Sequence, residues 1–245
     1  MTDLVPARDP VRLPVRGTGL AADAAFPVRR IYCVGRNFAD HAREMGAAAP
    51  ASRAERGTPV FFMKPADALV GDGALPYPPG TADLHHEVEL VVALGHDAAG
   101  GELTRTAADA LVLAYGVGLD LTRRDLQAIA KSKGLPWDAG KSFDACAVCS
   151  SLWLKDDLPD IEGLGLHLEV NGESRQQGSF RDLIWDVPDI LVELSRLYAL
   201  KAGDLIYMGT PAGVAALAPG DRFTATVTGS PIQLAGEMAS NGMNR

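Results

Sequence analysis

Two glutamates one residue apart lie in an otherwise apolar run, and this pattern constrains fold and chemistry together. Glu87 and Glu89 belong to the segment HHEVELVV, residues 85–92. Because a β-strand points alternate side chains to one face, both carboxylates would project together. Two buried like charges repel unless a positive group lies between them, and a hard divalent cation such as Mg²⁺ or Mn²⁺ meets that need. The alternative is a solvated edge strand with its polar face outward.

A third acid, Asp120, opens the segment DLTRRDLQAIAK, for which we predict a helix over about 122–131. The polar positions of this segment are spaced four, three and four residues apart: Asp120, Arg124, Gln127 and Lys131. That spacing places them on one helical face. Arg124 and Gln127 would form paired donors beside a carboxylate, which suits a ligand that carries a carboxylate. A solvated amphipathic helix is the alternative.

His41 and Glu44 form a second constellation in a short predicted helix from Phe38 to about Met45, for which Asn37 is the expected N-cap. A carboxylate bonded to imidazole raises its basicity and fixes its tautomer, as in a general base that activates water. The small, polar segment 46–58 predicts a mobile loop that could close over a substrate and exclude water. A surface contact is the alternative interpretation of the pair.

Composition limits the classes of protein that the chain can belong to. The length of 245 residues fits one large β-rich domain with a short Pro- and Arg-rich arm over 1–27. A net charge of −8 argues against a nucleic-acid partner. No apolar stretch reaches the roughly 18 residues of a membrane span, and the N-terminus lacks a signal-peptide pattern. Three cysteines form no disulfide framework, which favours a reducing cytoplasm, and the CxxC pair Cys146 and Cys149 is interpreted as incidental packing.

Short strands outnumber helices along the chain and do not alternate strictly with them. We predict strands over 28–34, 60–63, 86–94, 115–119, 204–208 and 222–228, and further helices over 106–114 and from Pro188 to about 198. The dipeptide Asn171-Gly172 indicates a tight hairpin. This pattern favours an α+β, β-rich fold over a doubly wound parallel sheet.

Seven ordered strings resemble the fumarylacetoacetate hydrolase family, especially its acylpyruvate-cleaving, fumarylpyruvate hydrolase-like branch. They are IYCVGRNFADHAREMG, FFMKPADALV, DLHHEVELVVALG, GLDLTRRDLQ, GLPWDAGKSFD, VNGESRQQG and GDLIYMGTPAGV. The resemblance implies a mixed β-sandwich roll with short peripheral helices, formed by a catalytic domain over 28–245 with a lid at about 38–58. It also implies a homodimer with the site at the mouth of the roll.

The resemblance also implies roles for particular residues. Glu87, Glu89 and Asp120 would bind Mg²⁺ or Mn²⁺, and Arg124, Gln127 and Thr210 would bind the substrate. His41 and Glu44 would activate water, and Lys141 would stabilise the oxyanion. The chain departs from the family in two places: Ala145 and the residues after it replace a Pro/Gly-rich turn, and the tail from Ser230 onward lacks the usual closing-strand pattern.

These features predict a cytoplasmic, metal-dependent hydrolase that cleaves the carbon–carbon bond of a small 2,4-diketo acid. The foremost substrate is fumarylpyruvate in aromatic degradation, with maleyl and acetyl tails left open. An oxaloacetate decarboxylase or a 2-hydroxyhepta-2,4-diene-1,7-dioate isomerase/decarboxylase is the alternative on the same scaffold, and the presence of both His41 and Glu44 favours hydrolysis. Two other classes stay open: a non-haem iron oxygenase that uses His85 or His86, and a catalytically silent binding module.

Overall fold

Strands dominate the chain, as the sequence predicts. The structure, a computed structural model, describes residues 4–6, 8–44, 50 and 53–240, without the side chains of Ala42 and Arg53. Its strands are β1 (Arg12–Arg16), β2 (Ala25–Pro27), β3 (Arg30–Gly35), β4 (Val60–Lys64), β5 (Leu69–Val70), β6 (Gly73–Leu75), β7 (Leu84–His86), β8 (Val88–Leu94), β9 (Val112–Asp120), β10 (Thr122–Arg123), β11 (Ala147–Cys149), β12 (Leu152–Leu154), β13 (Gly165–Val170), β14 (Glu173–Ser179), β15 (Asp204–Tyr207), β16 (Ala215–Ala216), β17 (Arg222–Thr228) and β18 (Gln233–Met238). Its helices are α1 (Ala39–Glu44), α2 (Arg105–Asp109), α3 (Arg124–Lys133), α4 (Asp138–Lys141) and α5 (Val187–Ser195).

The described strands form three sheets. The largest has the order β2-β1-β12-β9-β8-β15-β3-β4, with β11 and β5 joined to it beside β9. A second sheet has the order β14-β13-β17-β18-β6, and a small third one pairs β10, β7 and β16. Pairing is mixed, since β15 runs parallel to β3 and antiparallel to β8. The β-rich, mixed-sheet α+β fold predicted from the sequence is therefore confirmed.

The large sheet curls, and its concave face encloses a core of its own. Side chains of β1, β3, β8, β11 and β15 meet there, among them Val91 and Ala93 of β8. The opposite face of β8, which carries Leu90 and Val92, packs in the core shared with β13 and β17 of the second sheet. Because side chains alternate along a strand, Glu89 lies on the concave face with Val91 and Ala93. The fold thus directs this carboxylate to the inside of the roll.

The predicted N-terminal arm contains two strands of the large sheet. β1 pairs with β2 and runs parallel to β12. Leu13, Val15 and Phe26 are buried in the concave core. These residues therefore help to close the roll.

Several element boundaries differ from the sequence-based prediction. The helix expected over 106–114 ends at Asp109, because Val112 begins a long strand that pairs with β8. The helix expected from Thr122 begins at Arg124, because Thr122 and Arg123 pair with β7 as a short strand. Strand pairing thus overrides helical periodicity at both ends of β9.

Asn37 was expected to cap the first helix, and this prediction is wrong. Its amide donates to the carbonyls of Trp185 and Met208 at 2.9 and 2.8 Å, and its oxygen accepts from the N–H of Trp185 at 2.8 Å. The side chain is fully buried, so Asn37 joins the end of β3 to two distant segments.

The C-terminal tail also corrects an expectation. Residues 233–238 form β18, which pairs with β17 on one side and β6 on the other. The tail is therefore an interior strand of the second sheet, although it lacks the expected charged and aliphatic pattern. The predicted hairpin is confirmed: Asn171 and Gly172 have φ of 56° and 79° and link β13 to β14.

Two further observations bear on the classes of protein considered above. Cys33, Cys146 and Cys149 are buried free thiols. In the part of the chain that the structure describes, no helix is long and apolar enough to cross a membrane.

Candidate active site

Three carboxylates converge at one end of the curled sheet. Glu87 lies between β7 and β8, Glu89 lies in β8, and Asp120 ends the neighbouring strand β9. One ligand oxygen of each lies within 4.8 Å of the others, and all three residues are buried. The backbone N–H of Asp120 donates to the carbonyl of Glu87 at 2.9 Å, which fixes the register that brings the acids together. Asp120 ends a strand instead of opening a helix, which corrects the helical-face prediction for this residue.

Three cations neutralise the acidic cluster. The Lys141 ammonium donates to Glu87 at 2.7 Å and to Asp120 at 2.6 Å. The Arg124 guanidinium donates to the other oxygen of Glu87 at 2.5 Å. Lys64 lies 2.8 Å from the second oxygen of Asp120 and is fully buried. Lys64 was not predicted from the sequence: its place at the end of the apolar strand VFFMK is a signal for burial, but that signal does not identify Asp120 as its partner.

The pKa values of the two glutamates are shifted in opposite directions. Burial works against the charged form of Glu87, but Lys141 and Arg124 hold the pKa of this carboxyl well below its usual value. Burial raises the pKa of Glu89 well above its usual value, and the charges of Asp120 and Glu87 raise it further. Burial lowers the pKa of Lys141, yet Asp120 and Glu87 outweigh it and raise the pKa overall. Glu89 is therefore the carboxylate whose charge the protein stabilises least.

The turn after β15 supplies the hydrogen-bond donor to Glu89. The backbone N–H of Gly209 donates to this carboxylate at 2.7 Å. Gly209 has φ of 93°, and a Cβ atom there would lie 2.7 Å from the Cβ of Asn37. A glycine is required at this position, because both the backbone conformation and the close approach exclude a side chain.

Arg124 and Gln127 occupy the first turns of α3 and face the cluster, as the spacing predicted. Arg124 donates to the side-chain oxygen of Gln127 at 2.7 Å. Helix α4, which carries Lys141, packs against α3 at Gly140, where a Cβ atom would lie 2.9 Å from the backbone nitrogen of Gln127. This close approach places Lys141 and Gln127 around one space.

The predicted pair of His41 and Glu44 is present in α1. The Nδ1 atom of His41 lies 3.2 Å from a carboxylate oxygen of Glu44. The backbone N–H of Gly213 donates to both oxygens of Glu44 at 3.3 Å, which connects the pair to the turn that contains Thr210. The His41 side chain is 8% exposed, and the Glu44 side chain is 42% exposed. Part of the predicted loop and lid, residues 45–49 and 51–52, lies outside the described residues.

All but one of the predicted site residues line one small cavity of about 30 Å³, and Glu44 adjoins it through His41. The lining residues are Val34, Gly35, Arg36, His41, Phe62, Glu87, Glu89, Asp120, Arg124, Gln127, Lys131, Trp137, Lys141 and Thr210. A groove of about 480 Å³ adjoins it and shares Phe62, Trp137 and Lys141. A cavity of about 420 Å³ beside α5 contains none of the predicted residues.

The two histidines before the acidic strand lie outside the cluster. His86 Nδ1 lies 2.8 Å from Gln176, and His85 Nε2 lies 2.8 Å from Asp83. Within the described residues, the group that could hold a metal contains no histidine. The geometry therefore gives no support to the non-haem iron site considered above.

The donor set fits a hard divalent cation. The candidate ligand atoms are all carboxylate oxygens, held close together by two paired strands and the residue that precedes one of them, and Mg²⁺ and Mn²⁺ prefer such ligands. Burial and two neighbouring carboxylates raise the pKa of Glu89. A cation bound beside Glu89 would stabilise its ionised form.

The comparisons with known proteins agree with this fold and site. Residues 30–238 match the family model described as fumarylacetoacetate (FAA) hydrolase C-terminal, so the chain belongs to this family. The mitochondrial oxaloacetate tautomerase FAHD1 of Bos taurus is 41% identical over 202 residues, covering 82% of this chain and 88% of the relative. The fumarylpyruvate hydrolase of a Ralstonia species is 42% identical over 170 residues, covering 69% and 87%.

A solved structure matches nearly the whole chain. The fumarylpyruvate hydrolase of Pseudomonas aeruginosa, in complex with Mn²⁺ and pyruvate, is 39% identical with a TM-score of 0.88. The match covers 98% of this chain and 100% of that one. The chain is thus an enzyme of the fumarylacetoacetate hydrolase family, whose members at similar identity include hydrolases and tautomerases.

Proposed function

We propose that this protein is a divalent-metal-dependent hydrolase that cleaves fumarylpyruvate to fumarate and pyruvate. The observation that carries the proposal is that His41, bonded to Glu44, lines the same cavity as the three carboxylates. The similarity to a fumarylpyruvate hydrolase over almost the full chain supports it. In this proposal Glu87, Glu89 and Asp120 are the metal ligands.

The ion would supply Lewis-acid polarisation and a template for the 2-oxo acid. Thr210 and the N–H groups of Arg124 that Glu87, Gln127 and His85 leave free would bind the substrate carboxylate, because charge-assisted hydrogen bonds of this kind are strong. Gln127 would orient Arg124. These residues set the position of the 4-carbonyl group relative to His41.

His41 would take a proton from water at Nε2, because its Nδ1 atom faces Glu44. The water oxygen then bonds to carbon 4, and the third N–H of Lys141 stabilises the oxyanion, a role that contributes about 3–4 kcal/mol. The bond between carbons 3 and 4 breaks to give fumarate and the enolate of pyruvate, which is then protonated. Two of the Lys141 N–H groups hold Glu87 and Asp120, so the ammonium is already oriented.

The acyl part of the substrate would extend into the groove beside Phe62 and Trp137. The volume of this groove, about 480 Å³, is in the range of small-molecule sites. The cavity that holds the acids is too small for a whole diketo acid, so the substrate would occupy both spaces.

A second candidate is an oxaloacetate tautomerase or decarboxylase, which the relatives at similar identity favour. Such a reaction needs no water attack at a carbonyl group. It needs the same bound 2-oxo acid and a residue that moves a proton at carbon 3. The two candidates therefore differ in what they demand of His41.

The test compares His41→Ala and Glu44→Gln with the exposed-site control His96→Ala. With metal saturating, steady-state rates are measured on fumarylpyruvate, on acetylpyruvate and on oxaloacetate, for both tautomerisation and decarboxylation. We expect His41→Ala to lower acylpyruvate cleavage about 10²–10⁴-fold and to spare decarboxylation. Glu44→Gln should follow the same pattern with a smaller loss, because it leaves the imidazole in place.

Two results would overturn the proposal. Unchanged hydrolysis in His41→Ala would remove this residue from the mechanism. A wild-type protein that tautomerises oxaloacetate but leaves both acylpyruvates intact would establish the second candidate instead.

We also propose that the enzyme works in aromatic degradation as a homodimer in the cytoplasm, with Mg²⁺ or Mn²⁺ as its ion. The dimer and the location rest on the sequence resemblance and the cysteine pattern, and the relatives include a mitochondrial protein. Sedimentation measures the assembly. Metal analysis of the purified protein identifies the ion.

A further inference from the structure

Gln176 is a buried glutamine whose whole amide group is engaged beside the site. It is 1% exposed. Its oxygen accepts from the backbone N–H of Val88 at 3.1 Å and lies 2.8 Å from His86 Nδ1. Its nitrogen donates to the Thr210 hydroxyl at 2.7 Å and to the Pro211 carbonyl at 2.8 Å. Gln176 thus connects the acidic strand to the turn that carries Thr210.

The orientation of this amide is fixed by two backbone groups. The N–H of Val88 can only donate, so the atom that faces it must be the oxygen. The carbonyl of Pro211 can only accept, so the atom that faces it must be the NH₂ group. The amide therefore cannot turn over, and the Thr210 hydroxyl must accept a hydrogen bond from it.

The hydrogen bond from Gln176 determines whether the Thr210 hydroxyl can donate or accept a further hydrogen bond. A hydroxyl has one proton and two lone pairs, and Gln176 occupies a lone pair. In the described part of the chain, no group accepts the Thr210 proton, and Thr210 lines the cavity of the acidic cluster. The proton is therefore free to point into that cavity.

We propose that Gln176 is a positioning residue that holds the Thr210 hydroxyl as a hydrogen-bond donor toward the carboxylate of the bound 2-oxo acid. The proposal rests on the proposed function for the identity of the ligand. An ionised carboxylate can only accept hydrogen bonds. A hydroxyl held as a donor therefore binds a ligand carboxylate better than it binds a ligand group that must itself donate.

His86 supports the amide from the other side. The Gln176 oxygen is an acceptor, so His86 must carry its proton on Nδ1 and donate it. Its Nε2 atom is buried and has no partner among the described residues. The histidine therefore acts on the amide oxygen and has no direct role at the cavity.

The test is a double-mutant cycle with ligand binding as its measurement. Gln176→Glu keeps the shape and both acceptor contacts but removes the donor, so the Thr210 proton would turn toward the introduced carboxylate. It is combined with Thr210→Val, which lacks a hydroxyl, and with Thr210→Ser, which keeps it. The dissociation constant of pyruvate is measured by calorimetry at saturating Mn²⁺, and thermal unfolding checks each variant.

We expect Gln176→Glu to weaken pyruvate binding about tenfold or more in the wild-type and Thr210→Ser backgrounds, the usual effect of losing a hydrogen bond to a charged group. In the Thr210→Val background the same change should weaken binding less than about twofold. If Gln176→Glu does not fold, Gln176→Met takes its place, with the same sign and a smaller effect.

Equal weakening with and without the hydroxyl would overturn the proposal, because it would mean charge repulsion or general distortion. Unchanged binding in Gln176→Glu would also overturn it. A protein that shows the coupling but does not hydrolyse fumarylpyruvate would overturn the proposed function alone. Wild-type protein that fails to bind pyruvate with Mn²⁺ would overturn both.

Discussion

Glu87 and Glu89 look equivalent in the sequence but are held in opposite ways. Glu87 contacts two cations, Lys141 and Arg124. Glu89 receives a backbone N–H from Gly209 and faces two other carboxylates. Removal of one partner from a buried ion pair leaves a charge without compensation, whereas removal of one member of a repelling group relieves the others.

The two glutamine substitutions should therefore change stability in opposite directions. With a chelator present, we expect Glu87→Gln to lower the free energy of unfolding by about 2–4 kcal/mol. Glu89→Gln should raise it by about 1 kcal/mol. Both should weaken Mn²⁺ binding. Urea unfolding and metal titration measure these effects, and equal destabilisation by both changes would contradict the assigned ion pairs.

Alternation along a strand, a local rule, predicted that Glu87 and Glu89 lie together, whereas the place of Asp120 beside them was implied only by the family resemblance. The sequence did not predict Lys64 or Gln176, because each reaches the site through long-range pairing. Lys64 lies on β4, at the far end of the sheet order from β9, yet its ammonium contacts Asp120. Gln176 is the one fully buried side chain within the otherwise exposed or half-buried strand β14, a signal visible only once burial is known.

At the scale of the element, Ala145 forms a left-handed turn without a glycine. It has φ of 58° between α4 and β11. The left-handed conformation costs an L-residue about 1–2 kcal/mol. The tertiary contacts on both sides therefore impose this turn on an unfavourable residue.

Ala145→Gly should stabilise the protein. Relief of the left-handed strain exceeds the extra chain entropy of glycine, so we expect a gain of about 0.5–1 kcal/mol in unfolding free energy. The control is Ala107→Gly in helix α2, which should lose about 1 kcal/mol. Chemical denaturation compares the two variants, and a loss at both positions would show that Ala145 is not strained.

The same scale explains which element predictions were wrong. Periodicity placed the helix of 106–114 too far along the chain, and it assigned Asp120 to a helix. In both cases β9 forms a strand instead, because Val112 pairs with β8 and Asp120 pairs with Ala147 of β11, and these partners are distant in sequence. The Asn171-Gly172 hairpin was predictable because its signal is contained in two adjacent residues.

At the scale of the whole molecule, a bound ion would link strands that lie far apart in the sequence. Glu87 and Glu89 precede Asp120 by some thirty residues, and Lys141 and Gly209 follow later. Family resemblance predicted this architecture, since seven motifs in order carry long-range information that composition and periodicity do not. The match over residues 30–238 confirms the family, and the solved structure with a TM-score of 0.88 confirms the fold.

Metal should therefore stabilise the whole fold. A ligand at about 100 times its dissociation constant adds about 2.7 kcal/mol, which for a chain of this size raises Tm by about 5–10 °C. Differential scanning calorimetry with and without Mn²⁺ measures the shift. Glu102→Gln, at an exposed ion pair with Arg196, should leave the shift intact, whereas Glu89→Gln should reduce it. A shift that survives Glu89→Gln would place the ion elsewhere.

The ammonium of Lys141, which touches both Glu87 and Asp120, has a consequence for how the enzyme is supplied with its ion. The chain already brings its own counter-charge to the acids, so assembly of the polypeptide does not have to wait for a metal. Under the proposed metal dependence, folding and metal loading would be separate events, and newly made protein would be folded but inactive until an ion binds. The amount of working enzyme in a cell would follow the supply of divalent ions without any new synthesis.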